Sequence, residues 1–381
     1  MARIVLAGYM ARYPLGGMLS WTLQWLLGFQ ALGHDIYFIE KAAYPNACFD
    51  PGQGKMGDDC SYGVATLRRL FAPWGLDDRF CFVDAAGRCH GLDRDALSEV
   101  LASADLFIDM GSHGAWLDEA SACGLRVLVE SEPSYTQFKL QTLLDAGQEL
   151  PTYDAYYTNG LNIGTAASDA PTAGIAWRYV MNPVMATSFD VAERPDDGAF
   201  TTVMNWQAHD PIEFRGRRYG QKDIEFAKFE RLPSLVDVPV EVAAAGQQVP
   251  TQRLVDAGWR VLDAHRVTVS IDSYYRYIRG SLGEIGICKN VFVATNNGWF
   301  SDRSAAYLAC GRPVVMQATG FERYLPCGRG LFAVDDAAGA AEAIREIVAD
   351  YPLHSRAARE IALEHLDARR VLGQFLRELG I

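Results

Sequence analysis

Ser301, Asp302, Arg303 and Ser304 open an otherwise apolar stretch that runs to Ala309 and stops at Cys310-Gly311. Two hydroxyls and two charges at the first turn of a helix are residue types that hold an anion. Free N–H groups and the positive end of the helix dipole face it, and an Arg adds charge-assisted hydrogen bonds. Ser301 or Asp302 is the expected N-cap. A second group of residues could move a proton. His113 lies in "MGSHGAW" close to Asp109, whose carboxylate could fix the imidazole tautomer, and Glu130 and Glu132 lie in "ESEPSY" at the end of the next strand. No two cysteines form a Cys-x-x-Cys pair, and no His or Asp cluster has metal-ligand spacing, so no metal site is expected.

The elements that must position these residues alternate between strand and helix. A strand from Arg3 to Tyr9, a loop with Gly16-Gly17, a helix from about Met18 to Leu32 and a strand from Asp35 to Glu40 make a βαβ unit. Further strands are expected at 79–84, 105–109, 126–130 and 155–159. The polar segment "VAERPDDG", with Pro195 and Gly198, reads as a linker, which places one domain at 1–192 and another at 193–381. A second series follows from Phe200, with strands in "VPVEVAAAG", "GWRVLD", "VFVAT" (291–295) and "PVVMQ", and a long amphipathic helical stretch from His354 to Leu379. Residues 106–131 and 291–318 share a plan: strand, Gly-bearing loop with a Trp, helix ending in Ala-Cys-Gly, Val-rich strand. Both loops fall at carboxyl ends of strands, where open α/β sheets bind ligands.

Bulk properties exclude some functions. The chain has 381 residues, 49% of them hydrophobic, and a formal net charge of −12. That balance suits two globular domains and disfavours nucleic acid, which needs a clustered basic face. Tyr13 to Gly33 carries no charge, but Ser20, Thr22 and Gln24 break the run, so it reads as a buried first helix rather than a leader or membrane anchor. The eight Cys read as reduced thiols in a cytoplasmic protein.

The stretch "SDRSAAYLACGRPVVMQATGF" (301–321) resembles the nucleotide-sugar signature of glycosyltransferases with the GT-B fold, and residues 281–331 carry the most specific part of the likeness. The segment "RRYGQKDIEFAKFERLP" is similar to the part of that fold where an Arg and a Lys five residues on touch the donor phosphates; Arg217 and Lys222 have that spacing. The opening 7–40 resembles the start of the N-terminal domain. The resemblance implies two doubly wound, Rossmann-like α/β domains facing a cleft, with the last helix crossing back to the first domain. It implies a donor site in the second domain at Arg217, Lys222, Gly298, Ser301, Asp302, Arg303, Thr319 and Gly320. The catalytic base is then expected from the first domain: His113, Glu132 or Asp109. Many retaining members carry two Glu eight positions apart; Gly298 and Ala306 stand at those places here, which favours inversion. No cofactor and no metal are expected, only a nucleotide-sugar co-substrate linked to uridine or deoxythymidine diphosphate. The expected partners are that donor and a small-molecule acceptor such as a specialised metabolite, with a homodimer compatible, and neither nucleic acid nor stable membrane insertion. A nucleotide-sugar 2-epimerase and a two-lobed binding protein are the alternatives.

Overall fold

The computed structural model describes all residues except Ala43, Ser112, His113, Ala192, His209 and Gln247. Its N-terminal half is built on an eight-stranded sheet, in the order 177–179, 155–158, 125–130, 106–109, 3–7, 35–41, 80–83, 89–91. Every pairing in it is parallel except that of Cys89–Gly91 with Phe80–Val83. The C-terminal half has a six-stranded parallel sheet, in the order 260–263, 240–245, 200–205, 283–286, 314–317, 331–334. In both sheets the first strand lies between the second and the fourth long one, so the order reverses beside Arg3–Ala7 and beside Phe200–Asn205. Loops leaving the carboxyl ends of strands on either side of such a reversal diverge and leave a crevice.

The uncharged run near the start is the helix Gly16–Ala31. Trp25 and Phe29 are fully buried, and Trp25, Phe29 and Tyr157 each pack against Phe375 of the last helix, Ala368–Leu379. Gly28 makes that approach possible: a Cβ there would lie 2.5 Å from Leu372 Cδ1 and 2.8 Å from Ala368 Cβ. Polar positions in the same helix face the other half, where Tyr275 Oη meets Ser20 Oγ and Gln24 Nε2, each at 2.9 Å. Among the described residues no helix is long and apolar enough to cross a membrane.

Three expectations need correction. Residues 291–295 are not a strand: Asn290–Ala294 is a short helix, and the sheet position belongs to Gly283–Gly286. The glycines of that strand suit its crowded place, because a Cβ on Gly283 would sit 2.5 Å from both Phe200 Cε1 and the Pro313 carbonyl. Tertiary space thus overrides the β-branched run in "VFVAT". The shared plan of 106–131 and 291–318 fails at its helix, since the first copy holds only a single 3₁₀ turn, Glu119–Ala122, against the α-helix Asp302–Ala309. The terminal helix is also interrupted. Tyr351–Ile361 gives way to a π-turn over Ala362–Leu366, and Asp367 then caps the next helix through Arg369 N. At that interruption the chain pairs with the segment that leaves the first sheet: Val184 N donates to Leu366 O and Ala368 N to Val184 O, both at 2.9 Å.

Candidate active site

Three cations, Lys222, Lys289 and Arg303, lie close enough in the C-terminal half for their charges to act on one another. Lys222 begins the short helix Lys222–Phe226, and Lys289 follows the strand Gly283–Gly286. A buried amide network holds the two segments together. Gly220 N donates to Asn290 Oδ1 at 3.0 Å, Asn290 Nδ2 to Glu225 Oε1 at 2.7 Å, and Gln317 Nε2 to Glu225 Oε2 at 2.5 Å. Lys222 Nζ has no hydrogen-bond or ion-pair partner among the described residues. Burial lowers its pKa to about 7, and the positive charges of Arg303 and Lys289 add to the effect. A lysine without a counter-ion among the described residues, near two other cations, is an environment that favours an anion.

Arg303 and Lys289 are already engaged. Arg303 is turned inward: its Nε donates to buried Glu284 at 2.5 Å and its Nη1 to the Val203 carbonyl at 2.9 Å. Its guanidinium, expected from the sequence to meet a phosphate, is held here in a buried ion pair, and its charge acts on Lys222. Ser301 caps its helix, accepting from Arg303 N at 3.2 Å, and burial pushes the Asp302 carboxyl up. Lys289 reaches across to the N-terminal half and pairs with Glu132, which is 38% exposed. Arg217 is not brought to this cluster. It lies exposed on the hairpin 212–219 with its guanidinium 5.0 Å from the Tyr219 ring.

Gly298, Thr319 and Gly320 lie in the seam between the halves. Gly298 N donates to Thr319 O at 2.7 Å, Asn162 N to Asn297 O at 2.9 Å, and Trp299 bridges to Gly160. Gly298 has φ +81° and a Cβ there would meet Asn162 N at 2.8 Å; Gly320 has φ +99° and would meet Asn162 Nδ2 at 2.2 Å. Both positions demand glycine for backbone conformation and for the close approach of the other half. Asn297 extends the seam by donating to Pro133 O and Ser134 Oγ, and Asn182 Nδ2 donates to Phe300 O.

On the facing side, the loop after Arg3–Ala7 is held by buried Glu40. Its Oε2 accepts from Met10 N and Ala11 N, at 2.8 and 2.7 Å, and its Oε1 from Arg12 N at 2.9 Å. Burial pushes this carboxyl up to about 7, against the three N–H donors that pull it down. Arg12 is buried with its Cζ 5.1, 5.9 and 4.8 Å from the rings of Tyr9, Tyr13 and Tyr44. Asp109 is fully buried, accepts from Tyr153 Oη at 2.6 Å and from Gly114 N at 2.9 Å, and so shapes the next loop. His113 lies outside the described residues. Sequence reading did not single out Arg12 or Glu40 and did not commit to Lys289. Arg12 carries no motif, and Glu40 lies one residue before the end of an otherwise ordinary strand.

No protein-family model matches the chain, and no curated protein matches it in sequence. Solved structures match along its whole length. HepE of Anabaena, in complex with UDP and glucose, is 12% identical with a TM-score of 0.53 and 100% of both chains covered. The chain has the GT-B fold. An alpha-glucosyltransferase in complex with UDP-glucose and DNA containing an abasic site is 11% identical, with a TM-score of 0.56 over 99% of this chain and 98% of the other. AviGT4, a glycosyltransferase involved in avilamycin A biosynthesis, is 11% identical, with a TM-score of 0.52 over 99% and 97%. Within the GT-B frame, Lys222 and Lys289 belong to the second half and Glu132, Asp109 and Arg12 to the first, on loops that leave facing strand ends.

Proposed function

We propose that the chain is a glycosyltransferase that moves a hexose from a uridine or deoxythymidine diphosphate donor to a small-molecule acceptor. The observation that carries this reading is the unpaired ammonium of Lys222 beside Lys289 and Arg303, in a chain whose fold is shared with proteins bound to UDP and UDP-glucose. The donor diphosphate binds at Lys222 and Lys289. There it competes with Glu132 for Lys289, so donor binding frees a carboxylate at the edge of the acceptor side. Neutralisation of the leaving diphosphate by these ammonium groups is the electrostatic task a metal would otherwise perform, so we propose metal-independent transfer. Glu132 is the base we favour among His113, Glu132 and Asp109, because the other described candidate, Asp109, is buried and committed to Tyr153 and Gly114.

We propose inversion because neither Gly298 nor Ala306 offers a carboxylate. The name of the alpha-glucosyltransferase makes retention of an alpha-linked donor's configuration the second reading. The test is incubation with a panel of nucleotide sugars and acceptors, with nuclear magnetic resonance of the product anomer. Release of nucleoside diphosphate that depends on acceptor supports transfer. A changed sugar on an intact nucleotide points to an epimerase, and binding without turnover ends the catalytic reading. Diphosphate affinity of Lys222→Ala equal to that of the unaltered protein, with EDTA present, would remove the donor site from this crevice.

A further inference from the structure

Three side chains far from the crevice cations, and separated by 24 and 6 positions in the chain, converge on one point. Cys60 precedes the helix Ser61–Phe71, Asp84 follows the strand Phe80–Val83, and His90 lies in the strand Cys89–Gly91 that pairs back on it. Cys60 Sγ is 3.5 Å from His90 Nε2, His90 Nε2 is 3.0 Å from Asp84 Oδ2, and ligand atoms of all three lie within 4.8 Å of one another. Cys60 and Asp84 are buried, while His90 reaches solvent.

A single imidazole nitrogen serves two partners here, and a neutral ring cannot satisfy both. With a proton on Nε2 it donates to Asp84 and offers nothing to the thiol; without one it accepts from the thiol and turns a lone pair toward the carboxylate oxygen. A cation at the centre removes the conflict, because thiolate, imidazole nitrogen and carboxylate then all point electron pairs at it. Zinc binds such donors at about 2.0–2.3 Å, which in a tetrahedron separates sulfur and nitrogen ligands by roughly 3.5 Å. That is the spacing between Cys60 and His90. The carboxylate is also oriented from behind: Asp84 Oδ1 accepts from Ala86 N and Arg88 N, each at 3.0 Å. Such outer hydrogen bonds aim a ligating group. Arg88 Nε donates to Oδ2 at 2.8 Å and uses one of its lone pairs, which leaves the other for a metal.

We infer that Cys60, Asp84 and His90 form a binding site for a divalent transition-metal ion, zinc by its mixed sulfur, nitrogen and oxygen donors, with solvent completing the coordination on the His90 side. Binding releases the Cys60 proton. The ion ties the start of Ser61–Phe71 to the hairpin 80–91. That helix also seats the loop beside the acceptor side, since a Cβ on Gly63 would fall 2.0 Å from Ala11 O.

The test uses the whole chain, stripped with EDTA and titrated with cobalt(II) and then with zinc against a chromophoric chelator. One cobalt per chain is expected, with tetrahedral visible bands and a thiolate-to-cobalt charge-transfer band. Cys60→Ser removes the charge-transfer band, and Cys60→Ser and His90→Gln each weaken zinc binding by about tenfold or more. Cys89→Ser, next to His90 in sequence but outside the trio, leaves both unchanged. Absence of the charge-transfer band in the unaltered protein overturns the inference, even if the variants fold poorly. So does equal zinc affinity in the unaltered protein and in Cys60→Ser.

Discussion

With the donor diphosphate placed at Lys222 as proposed, its binding depends on pH in a direction that follows from the surroundings of this lysine. Its folded-state pKa is lowered to about 7, so above that pH the free protein holds mostly a neutral amine. A bound diphosphate raises the pKa, and binding then takes up a proton. Affinity for a nucleotide sugar, whose esterified phosphates do not titrate in this range, is therefore expected to be nearly flat between pH 6 and 7 and to fall, by up to about tenfold per unit, as pH rises beyond 7. Calorimetry in buffers of different ionisation enthalpy checks this through the proton uptake at pH 8; Lys222→Met should abolish it. Arg303 behaves differently. Arg303→Ala strands buried Glu284 and is expected to destabilise the fold by about 3–5 kcal/mol, read from denaturant unfolding, whereas Arg217→Ala on its exposed hairpin leaves stability unchanged. The resemblance at Arg217 and Lys222 drew attention to a lysine that has no counter-ion among the described residues. The inward turn of Arg303 was not legible, because its partner Glu284 lies 19 positions away on a strand that reads as "GEIG". Cys60, Asp84 and His90 were equally hidden: a metal site spread over 31 residues on three elements has no local period to read.

At the scale of elements, the strands with continuous β-branched and aromatic runs were legible because a parallel strand buried on both faces needs them. Arg3–Ala7, Leu125–Glu130 and Phe200–Asn205 are of this kind. Three-residue strands such as Cys48–Asp50 and Ile212–Phe214 were missed, since so short a pairing leaves no pattern, and Val291–Thr295 misled because the same letters suit a buried helical turn. Glycine in a helix was an equally silent signal. Gly28→Val should separate Gly16–Ala31 from Ala368–Leu379 and cost about 1–3 kcal/mol of stability, measurable as a lower midpoint of urea unfolding. An unchanged midpoint would mean that the two helices do not pack as tightly as Leu372 and Ala368 indicate.

Across the whole molecule, the two halves share an apolar cluster that includes Phe138, Leu161, Phe292 and Phe300, and polar groups join them in the stretch from Pro133 to Ser134 and from Asn296 to Phe300. Ser134 Oγ lies 2.6 Å from Thr295 Oγ1, Asn162 Nδ2 donates to Asn296 O, and Tyr324 Oη donates to Leu161 O. Asn297→Ala removes two donated bonds from this seam and leaves the Pro133 carbonyl and the Trp299 N–H short of a partner. A loss of about 1–3 kcal/mol per stranded group is expected, and scanning calorimetry should show it as a broadened or divided transition rather than a uniform shift. That the halves would face each other was legible in the repeated strand-and-helix series. That the glycine-bearing loops would pack against one another was not, because no sequence pattern distinguishes a loop that cradles a ligand from one that cradles another loop.

The pairing of Val184 with Leu366 and Ala368 sets how this seam can open. Both passages of the chain between the halves run side by side there and are laced by backbone hydrogen bonds. A two-ply strap of this kind resists stretching and sliding but twists at little cost, so it acts as a hinge pin. Under the proposed donor site, a swing of one lobe about that pin would part the Lys289–Glu132 contact and the hydrogen bonds of the seam together.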